Sequence, residues 1–119
     1  MNWVLDKSRA ICPQISEQLC MRIACGEYEP NERLMSVRDV AVEAGVNPNT
    51  VQHSFEELEH QGILYSIRGS GWYVAEDISL AQNVLEKIWM EKTKAYFDTM
   101  KTLGLEKEAV KKYVEEWER

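Results

Sequence analysis

Apolar residues recur at helical spacing near the N-terminus. Ile15, Leu19 and Ile23 stand four residues apart, which places them on one face of a helix. This spacing predicts a helix over 13–25. Gly26 is expected to end it, because glycine adopts the conformations that stop a helix without steric cost.

A turn and a second helix follow. Pro30-Asn31 fits the two central positions of a type II turn, since Asn tolerates a positive φ at the second of them. Ser36 then opens a helix, and Asp39 three residues later completes a capping-box pattern. The buried face of this helix is predicted to consist of Val37, Val40, Ala41 and Ala44.

A third helix begins almost at once. Gly45 suits the left-handed residue that stops the second helix, Asn47 suits a cap, and Pro48 suits a first turn. Gly62 is expected to end the third helix. Its apolar stripe is Val51, Phe55 and Leu58.

The pattern then changes from helical to strand-like and back. Two β-favouring runs, 63–67 and 72–74, flank a Gly-rich turn and predict a hairpin. From about Ile78 a helical face returns, broken at Gly104, with a shorter helix beyond it. The stripe of the long helix is Ala81, Leu85, Ile88, Ala95 and Leu103, and that of the short one is Ala109, Val110, Tyr113, Val114 and Trp117.

The order of these elements predicts the fold. Helix, helix, short Gly-containing turn, helix and hairpin is the order of a winged helix-turn-helix. The fold class is therefore α+β, mainly α. We expect a winged helix-turn-helix domain over 1–76 and a two-helix region over 77–119.

Composition bounds the functional classes. A chain of 119 residues with 45% hydrophobic residues is typical of one soluble globular domain with an appendage, and no secretory or membrane-spanning segment is expected. Three cysteines, Cys12, Cys20 and Cys25, do not form a disulfide framework and favour a reducing cytoplasm. Cys20 and Cys25 are expected to pack against the core.

Charge argues against a nucleic-acid partner at first. The net charge is −6, and residues 1–76 hold six basic and eleven acidic residues, a net −5. Binders of nucleic acid usually have a basic surface. The placement of individual charges therefore decides the question.

The start of the third helix presents short hydrogen-bonding groups. Asn and Gln pair bidentately with adenine, so Asn49 and Gln52 are the best candidates for reading bases. Thr50 can contact a phosphate or a thymine methyl group. The exposed set is Asn47, Asn49, Thr50, Gln52 and His53.

Two arginines occupy positions where a duplex would lie. Arg38 is in the first turn of the second helix, and Arg68 beside Gly69 is at the hairpin tip, which suits a wing in the minor groove. Lys7 and Arg9 are candidates for further backbone contacts. Few phosphate contacts per protomer are expected, and hence a shallow salt dependence of binding.

Several spaced motifs resemble the GntR family of bacterial transcription regulators. They lie between residues 10 and 75 and include Gly26-Glu27-Tyr28-Glu29-Pro30, Leu34-Met35-Ser36-Val37-Arg38, Gly45-Val46-Asn47-Pro48-Asn49-Thr50-Val51 and Gly69-Ser70-Gly71-Trp72-Tyr73-Val74. The resemblance implies DNA contacts at Arg38, Asn47, Pro48, Asn49, Thr50, Gln52, Arg68 and Gly69. The chain departs from the family's usual residues in three places. Asn31 stands where the family usually has Gly, Met35 where it usually has Pro, and Pro48 where many members have Arg.

The tail is similar to that of the YtrA-type subfamily, in which it serves dimerisation. Operators read by such modules are usually near-palindromic because the protein is two-fold symmetric, so we expect a cytoplasmic, homodimeric repressor of a near-palindromic operator. The resemblance also implies control of an adjacent transporter operon. Two alternatives are compatible with the sequence: a small-molecule effector binds between core and tail, or the protein has no effector. The residues expected to form the dimer contact are Ala81, Leu85, Ile88, Trp89, Ala95, Tyr96, Leu103, Tyr113 and Trp117.

Other functional classes find less support. A winged helix that binds only proteins is the alternative, and the acidic N-terminal region favours it. His53, Glu57 and His60 share a helix face, but such a face is usually solvated, so no metal is expected. No motif for a cofactor or for a catalytic nucleophile and base occurs, and we expect no enzymatic activity.

Overall fold

The computed structural model describes residues 3–117, so the outermost residues of the predicted regions 1–76 and 77–119 lie outside the described part. Within it the chain forms five helices and a two-stranded antiparallel sheet, and the predicted fold class is confirmed. The elements are α1 (Ile11–Ala24), α2 (Val37–Ala44), α3 (Pro48–His60), β1 (Leu64–Ile67), β2 (Gly71–Val74), α4 (Ser79–Thr102) and α5 (Lys107–Glu115).

Ser36 and Asn47 cap their helices as predicted, but among the described residues the Asp39 side chain forms no return bond to complete the predicted capping box. Ser36 Oγ accepts a hydrogen bond from the backbone N–H of Asp39 at 3.1 Å and begins α2. Asn47 Oδ1 accepts one from the N–H of Asn49 at 2.8 Å and begins α3. Between these helices Gly45 has φ +69°, the left-handed conformation that ends α2.

The core of the N-terminal part forms where the first three helices meet the hairpin. Phe55 of α3 is buried and packs edge-on against Trp72 of β2, with ring centroids 5.5 Å apart. The buried apolar residues are Ile15, Leu19, Cys20, Ile23, Leu34, Val40, Ala41, Val51, Phe55, Leu58, Ile63, Leu64, Val74 and Ala81.

The hairpin has a third, shorter partner that the sequence did not indicate. Leu64 pairs with Val74 and Ile67 with Gly71 in the two main strands. Beyond β2, Arg33 forms an antiparallel bridge with Tyr73. Leu34 N–H donates to Trp72 O at 2.8 Å on one side of this bridge. The predicted turn at Pro30-Asn31 is confirmed, because Glu32 N–H donates to Glu29 O at 3.1 Å and Asn31 has φ +65°. Arg33, directly after this turn, becomes the added edge of the sheet.

The chain divides into two compact units, Met1–Leu85 and Glu86–Arg119, and the division falls inside α4. Ala81, expected at the dimer contact, is instead fully buried in the core of the first unit, so this expectation is corrected. The first turns of α4 pack on the winged helix and therefore take Ala81 out of the surface. In the second unit, Val110 of α5 is buried.

The three cysteines differ in how deeply they are buried. Cys20 lies in the core as expected, but Cys25, expected there too, is exposed at the end of α1. The expectation for Cys25 is wrong because α1 ends at Ala24, and the residue that follows it leaves the buried face.

Candidate nucleic-acid interface

A groove of about 490 Å³ lies between the helix-turn-helix and the hairpin, which we call the wing groove. Its walls come from the segment before α2, the first turn of α2, one residue of α3 and the hairpin. The lining residues are Arg33, Leu34, Ser36, Val37, Arg38, Gln52, Ser66, Ile67, Gly69, Ser70, Gly71 and Trp72. Among these described residues two are arginines and none is acidic, although the chain has a net charge of −6.

Glu59 of α3 bonds Ser66, a residue that lines the wing groove. Glu59 Oε2 accepts hydrogen bonds from Ser66 N at 3.2 Å and from Ser66 Oγ at 2.7 Å. These bonds fasten β1 to α3. Among the described residues, neither Arg33 nor Arg38 forms an ion pair, with Glu59 or with any other carboxylate.

The predicted base-reading residues lie on the exposed side of α3. Val51, Phe55 and Leu58 are buried, which turns the first turns of the helix outwards. Asn49 is exposed and Gln52 half-buried, and neither side chain forms a hydrogen bond within residues 3–117. Both amides are therefore available to a ligand.

Asn47 has a structural task as well. Its side-chain oxygen caps α3, which leaves only its amide nitrogen to donate outwards. Pro48 beside it is exposed at the first position of the helix. The exposed N-terminus of α3 also carries a partial positive charge that attracts an anion. Its first N–H groups, of Asn49 and Thr50, already donate to Asn47.

Five of the predicted DNA-binding residues line two different grooves. Arg38, Gln52 and Gly69 meet at the wing groove. Thr50 and His53 line a different groove, of about 690 Å³, beside Cys12 and other residues of α1. His53 is exposed, and its Nδ1 lies 4.0 Å from Glu56 Oε1.

The tip of the wing is a tight turn. Ser70 N–H donates to Ile67 O at 2.9 Å, and Gly69 has φ +80°, a conformation that disfavours other residues. Arg68 is exposed in this turn and forms no hydrogen bond or ion pair with the rest of residues 3–117. Its guanidinium is free to contact a ligand.

Lys7 and Arg9 have partners inside the protein. Lys7 Nζ donates to Gly45 O at 2.9 Å, at the C-terminal end of α2, where a cation is favoured. Arg9 Nε lies 3.1 Å from Asp6 Oδ2. Hydrogen bonds from Ser8, and to a smaller extent Arg9, lower the pKa of Asp6. Lys7 therefore connects the N-terminal segment to the end of α2, and Arg9 forms a local pair within that segment.

Arg33 is a charged residue of the wing groove that the sequence did not indicate as DNA-binding. It stood in a predicted turn, among acidic neighbours, and only its pairing with Tyr73 brings it to the wing. The one local signal was the alternation of exposed Arg33 with buried Leu34, which is too short to predict a strand.

The tail carries several exposed apolar side chains. In the second unit, Leu103 is 76% exposed and Trp117 is 82% exposed. Trp89, Tyr96 and Tyr113 are exposed too. Ala95 is exposed and Ile88 half-buried; Leu85, in the first unit, is half-buried. A groove of about 580 Å³ between α4 and α5 is lined by Lys92, Thr93, Tyr96, Phe97, Lys111, Val114 and Glu115.

Within residues 3–117 no cluster of three or more His, Cys, Asp or Glu side chains is placed to hold a metal ion. None of the helices described is both long and apolar enough to cross a membrane.

A helix-turn-helix with a hairpin wing and a cationic groove between them defines a winged-helix DNA-binding protein. Residues 13–74, more than half of the chain, match the sequence model of the family described as "Bacterial regulatory proteins, gntR family". The chain belongs to the GntR family, a family of DNA-binding transcriptional regulators and not of enzymes. The resemblance seen in the sequence is thereby confirmed.

Two relatives show how far the likeness extends. The HTH-type transcriptional regulator YhcF of Bacillus subtilis (strain 168) is 37% identical over 108 residues, which are 91% of this chain and 89% of that protein. The HTH-type transcriptional repressor YtrA of the same organism is 39% identical over 64 residues, 54% of this chain and 47% of that protein. The first likeness includes the tail.

Two solved structures are similar as well. A GntR family transcriptional regulator from Listeria monocytogenes has a TM-score of 0.82 and 34% identity, covering 94% of this chain and 98% of that one. AraR(DBD) in complex with operator ORE1 has a TM-score of 0.53 and 28% identity, covering 60% of this chain and 83% of that one.

Proposed function

We propose that this protein is a homodimeric transcriptional repressor that acts in the bacterial cytoplasm on a near-palindromic operator. The winged helix-turn-helix, over 1–76, is the reader, and the helices of 77–119 join two copies. The repressor role is supported by the likeness to YtrA, which is named a repressor. Binding to an operator is supported by the likeness to AraR(DBD), whose structure contains one.

The wing groove is the observation that carries the proposal. Arg38 and Gln52 meet there beside the wing residue Gly69, and no acidic residue of the described chain lines it. A DNA backbone presents closely spaced phosphates, which such a groove accepts in spite of the acidic charge elsewhere. The acidic total charge therefore does not exclude DNA binding at this groove.

Within this interface the residues take different tasks. Asn49 and Gln52 read base edges in the major groove, where Asn and Gln match adenine. Arg38 and Thr50 bind phosphate oxygens, and the partial positive charge at the N-terminus of α3, beside Asn47 and Pro48, adds to the attraction. Outside the major groove, the wing places Arg68 and Gly69 in the adjacent minor groove, and His53 faces the neighbouring backbone.

Dimerisation follows from the unpartnered tail. Apolar side chains as exposed as Trp117 and Leu103 are unfavourable in water and favour a partner surface. A two-fold dimer presents its α3 helices to successive major grooves, roughly 34 Å apart. The contact comprises Leu85, Ile88, Trp89, Ala95, Tyr96, Leu103, Tyr113 and Trp117.

The test is a titration of the purified protein with the DNA upstream of its own gene. The double variant Asn49→Ala/Gln52→Ala is expected to lose about 100-fold in affinity for this DNA, since each amide–adenine pair discriminates by 1–3 kcal/mol. Gln82→Ala/Asn83→Ala is the matched control, because these exposed amides stand on α4. It should bind as the unmodified protein does.

Two outcomes would count against the proposal. Unaltered binding by Asn49→Ala/Gln52→Ala would remove both residues from base reading. If the unmodified protein bound no duplex at low salt, the chain would instead be a winged helix that binds other proteins.

A further inference from the structure

We infer that Arg33 is a third cation of the interface, beside Arg38 and Arg68, and that it binds phosphate from the base of the wing rather than from the helix-turn-helix. The inference rests on the proposed DNA-binding function and adds a residue to it. Three observations carry it: the position of Arg33 in the fold, the state of its guanidinium, and the composition of the surface around it.

The backbone of Arg33 is held on both sides. Val74 N–H donates to Glu32 O at 2.9 Å, and Leu34 N–H donates to Trp72 O at 2.8 Å. Arg33 itself bridges Tyr73. A residue paired in this way moves with the wing, so its side chain has a defined starting position for a contact with DNA.

The guanidinium lies against Gly71. A methyl group placed on Gly71 would lie 3.3 Å from Nε and 3.4 Å from Nη2 of Arg33. The absence of a side chain at Gly71 therefore makes the room that the guanidinium uses. This keeps the charged group beside the wing instead of extended at random into solvent.

The guanidinium is not neutralised. It forms no hydrogen bond or ion pair with the other residues of the described chain, and its acidic neighbour Glu32 bonds the backbone N–H of Glu29 at 3.0 Å. Arg33 and Arg38 line the same groove, between the wing and the start of α2. Two unpaired guanidinium groups in one groove without a carboxylate match a segment of DNA backbone, because each can hold a phosphate bidentately.

The experiment compares salt dependences on two duplexes, the DNA upstream of the gene and a mixed-sequence duplex. For Arg33→Gln the slope of log K against log salt should become shallower by about 0.9 per protomer, with affinity about tenfold weaker on both duplexes. Arg33→Lys keeps the charge and should keep the slope while losing part of the affinity. Lys87→Gln removes an exposed charge from α4 and should change neither.

The outcomes separate this inference from the function on which it rests. No binding by the unmodified protein would overturn the DNA-binding function itself. Binding by the unmodified protein with an unchanged slope in Arg33→Gln would overturn only the role of Arg33. A loss confined to the upstream DNA would make Arg33 a base reader and overturn the phosphate role. A fall in unfolding midpoint in both Arg33 variants, with the slope unchanged, would assign Arg33 to wing packing and also overturn it.

Discussion

The guanidinium of Arg22 lies 3.8 Å from the centroid of the Trp3 ring. Arg22 is buried in α1, and its Nε lies 3.6 Å from Glu27 Oε2. The indole N–H of Trp3 donates to Glu43 of α2 at 3.1 Å. Trp3 thus contacts both α1 and α2 and packs over the buried guanidinium of Arg22. It does so although it precedes residues 13–74, which match the family.

We predict that Trp3→Ala lowers the free energy of unfolding by about 2 kcal/mol, since a desolvated cation–π contact is lost. Urea unfolding followed by circular dichroism measures the change. Val4→Ala is the matched control, because Val4 is 80% exposed. An equal, small effect of both substitutions would show that the ring contributes little.

The cap at Asn47 can be separated from any role in DNA contact. Asn47→Ala removes the acceptor for the Asn49 N–H and should cost about 1 kcal/mol of stability. Asn47→Ser keeps a capping oxygen but no amide, so it should be nearly as stable as the unmodified protein. Thermal unfolding of both variants tests this, and an equal loss of stability in the two would contradict it.

Burial raises the pKa of the Cys20 thiol to about 11, and the negative charge of Glu17 adds to the shift. The folded protein thus keeps the proton that the unfolded chain loses near the ordinary pKa of 9.0. The stability contributed by the neutral thiol is complete below pH 9 and decreases as the pH rises from 9 to 11. The decrease should reach about 2 kcal/mol.

This pH dependence is measured by denaturant unfolding between pH 8 and 11. Cys20→Ala serves as the reference, because other groups, Tyr28 among them, also titrate at high pH. The unmodified protein should lose more stability than Cys20→Ala over this range. Parallel curves would mean that the thiol ionises equally in both states.

A charge on the apolar tail surface should separate the protomers. Trp89→Glu and Tyr96→Glu place a carboxylate among exposed aromatic side chains, and burying it in a dimer contact would be costly. Sedimentation at micromolar concentration should show monomers, with weaker binding to the upstream DNA. Gln82→Glu adds the same charge to an exposed position of α4 in the first unit and should leave a dimer. A dimer in all three variants would place the contact elsewhere.

Features encoded within a few residues were predictable from the sequence. The caps at Ser36 and Asn47, the left-handed Gly45 and the buried stripe of α3 each depend on hydrogen bonds or spacing inside one or two turns. The order of the helices and of the hairpin along the chain is enough to indicate the winged helix-turn-helix. The apolar stripe of α3 also predicts that the amides on its opposite side are exposed.

Features that depend on contacts between distant segments were decided by the tertiary structure. Arg33 reaches the wing only through its pairing with Tyr73, and Lys7 is engaged because Gly45 O ends α2 beside it. Ala81 is buried because the start of α4 packs on the winged-helix core. Spacing along the chain shows which face of an element is apolar, but not which other segment covers that face. For this reason the sequence predicted the fold and the exposed amides of α3, and the structure decided which cations have no partner among the described residues.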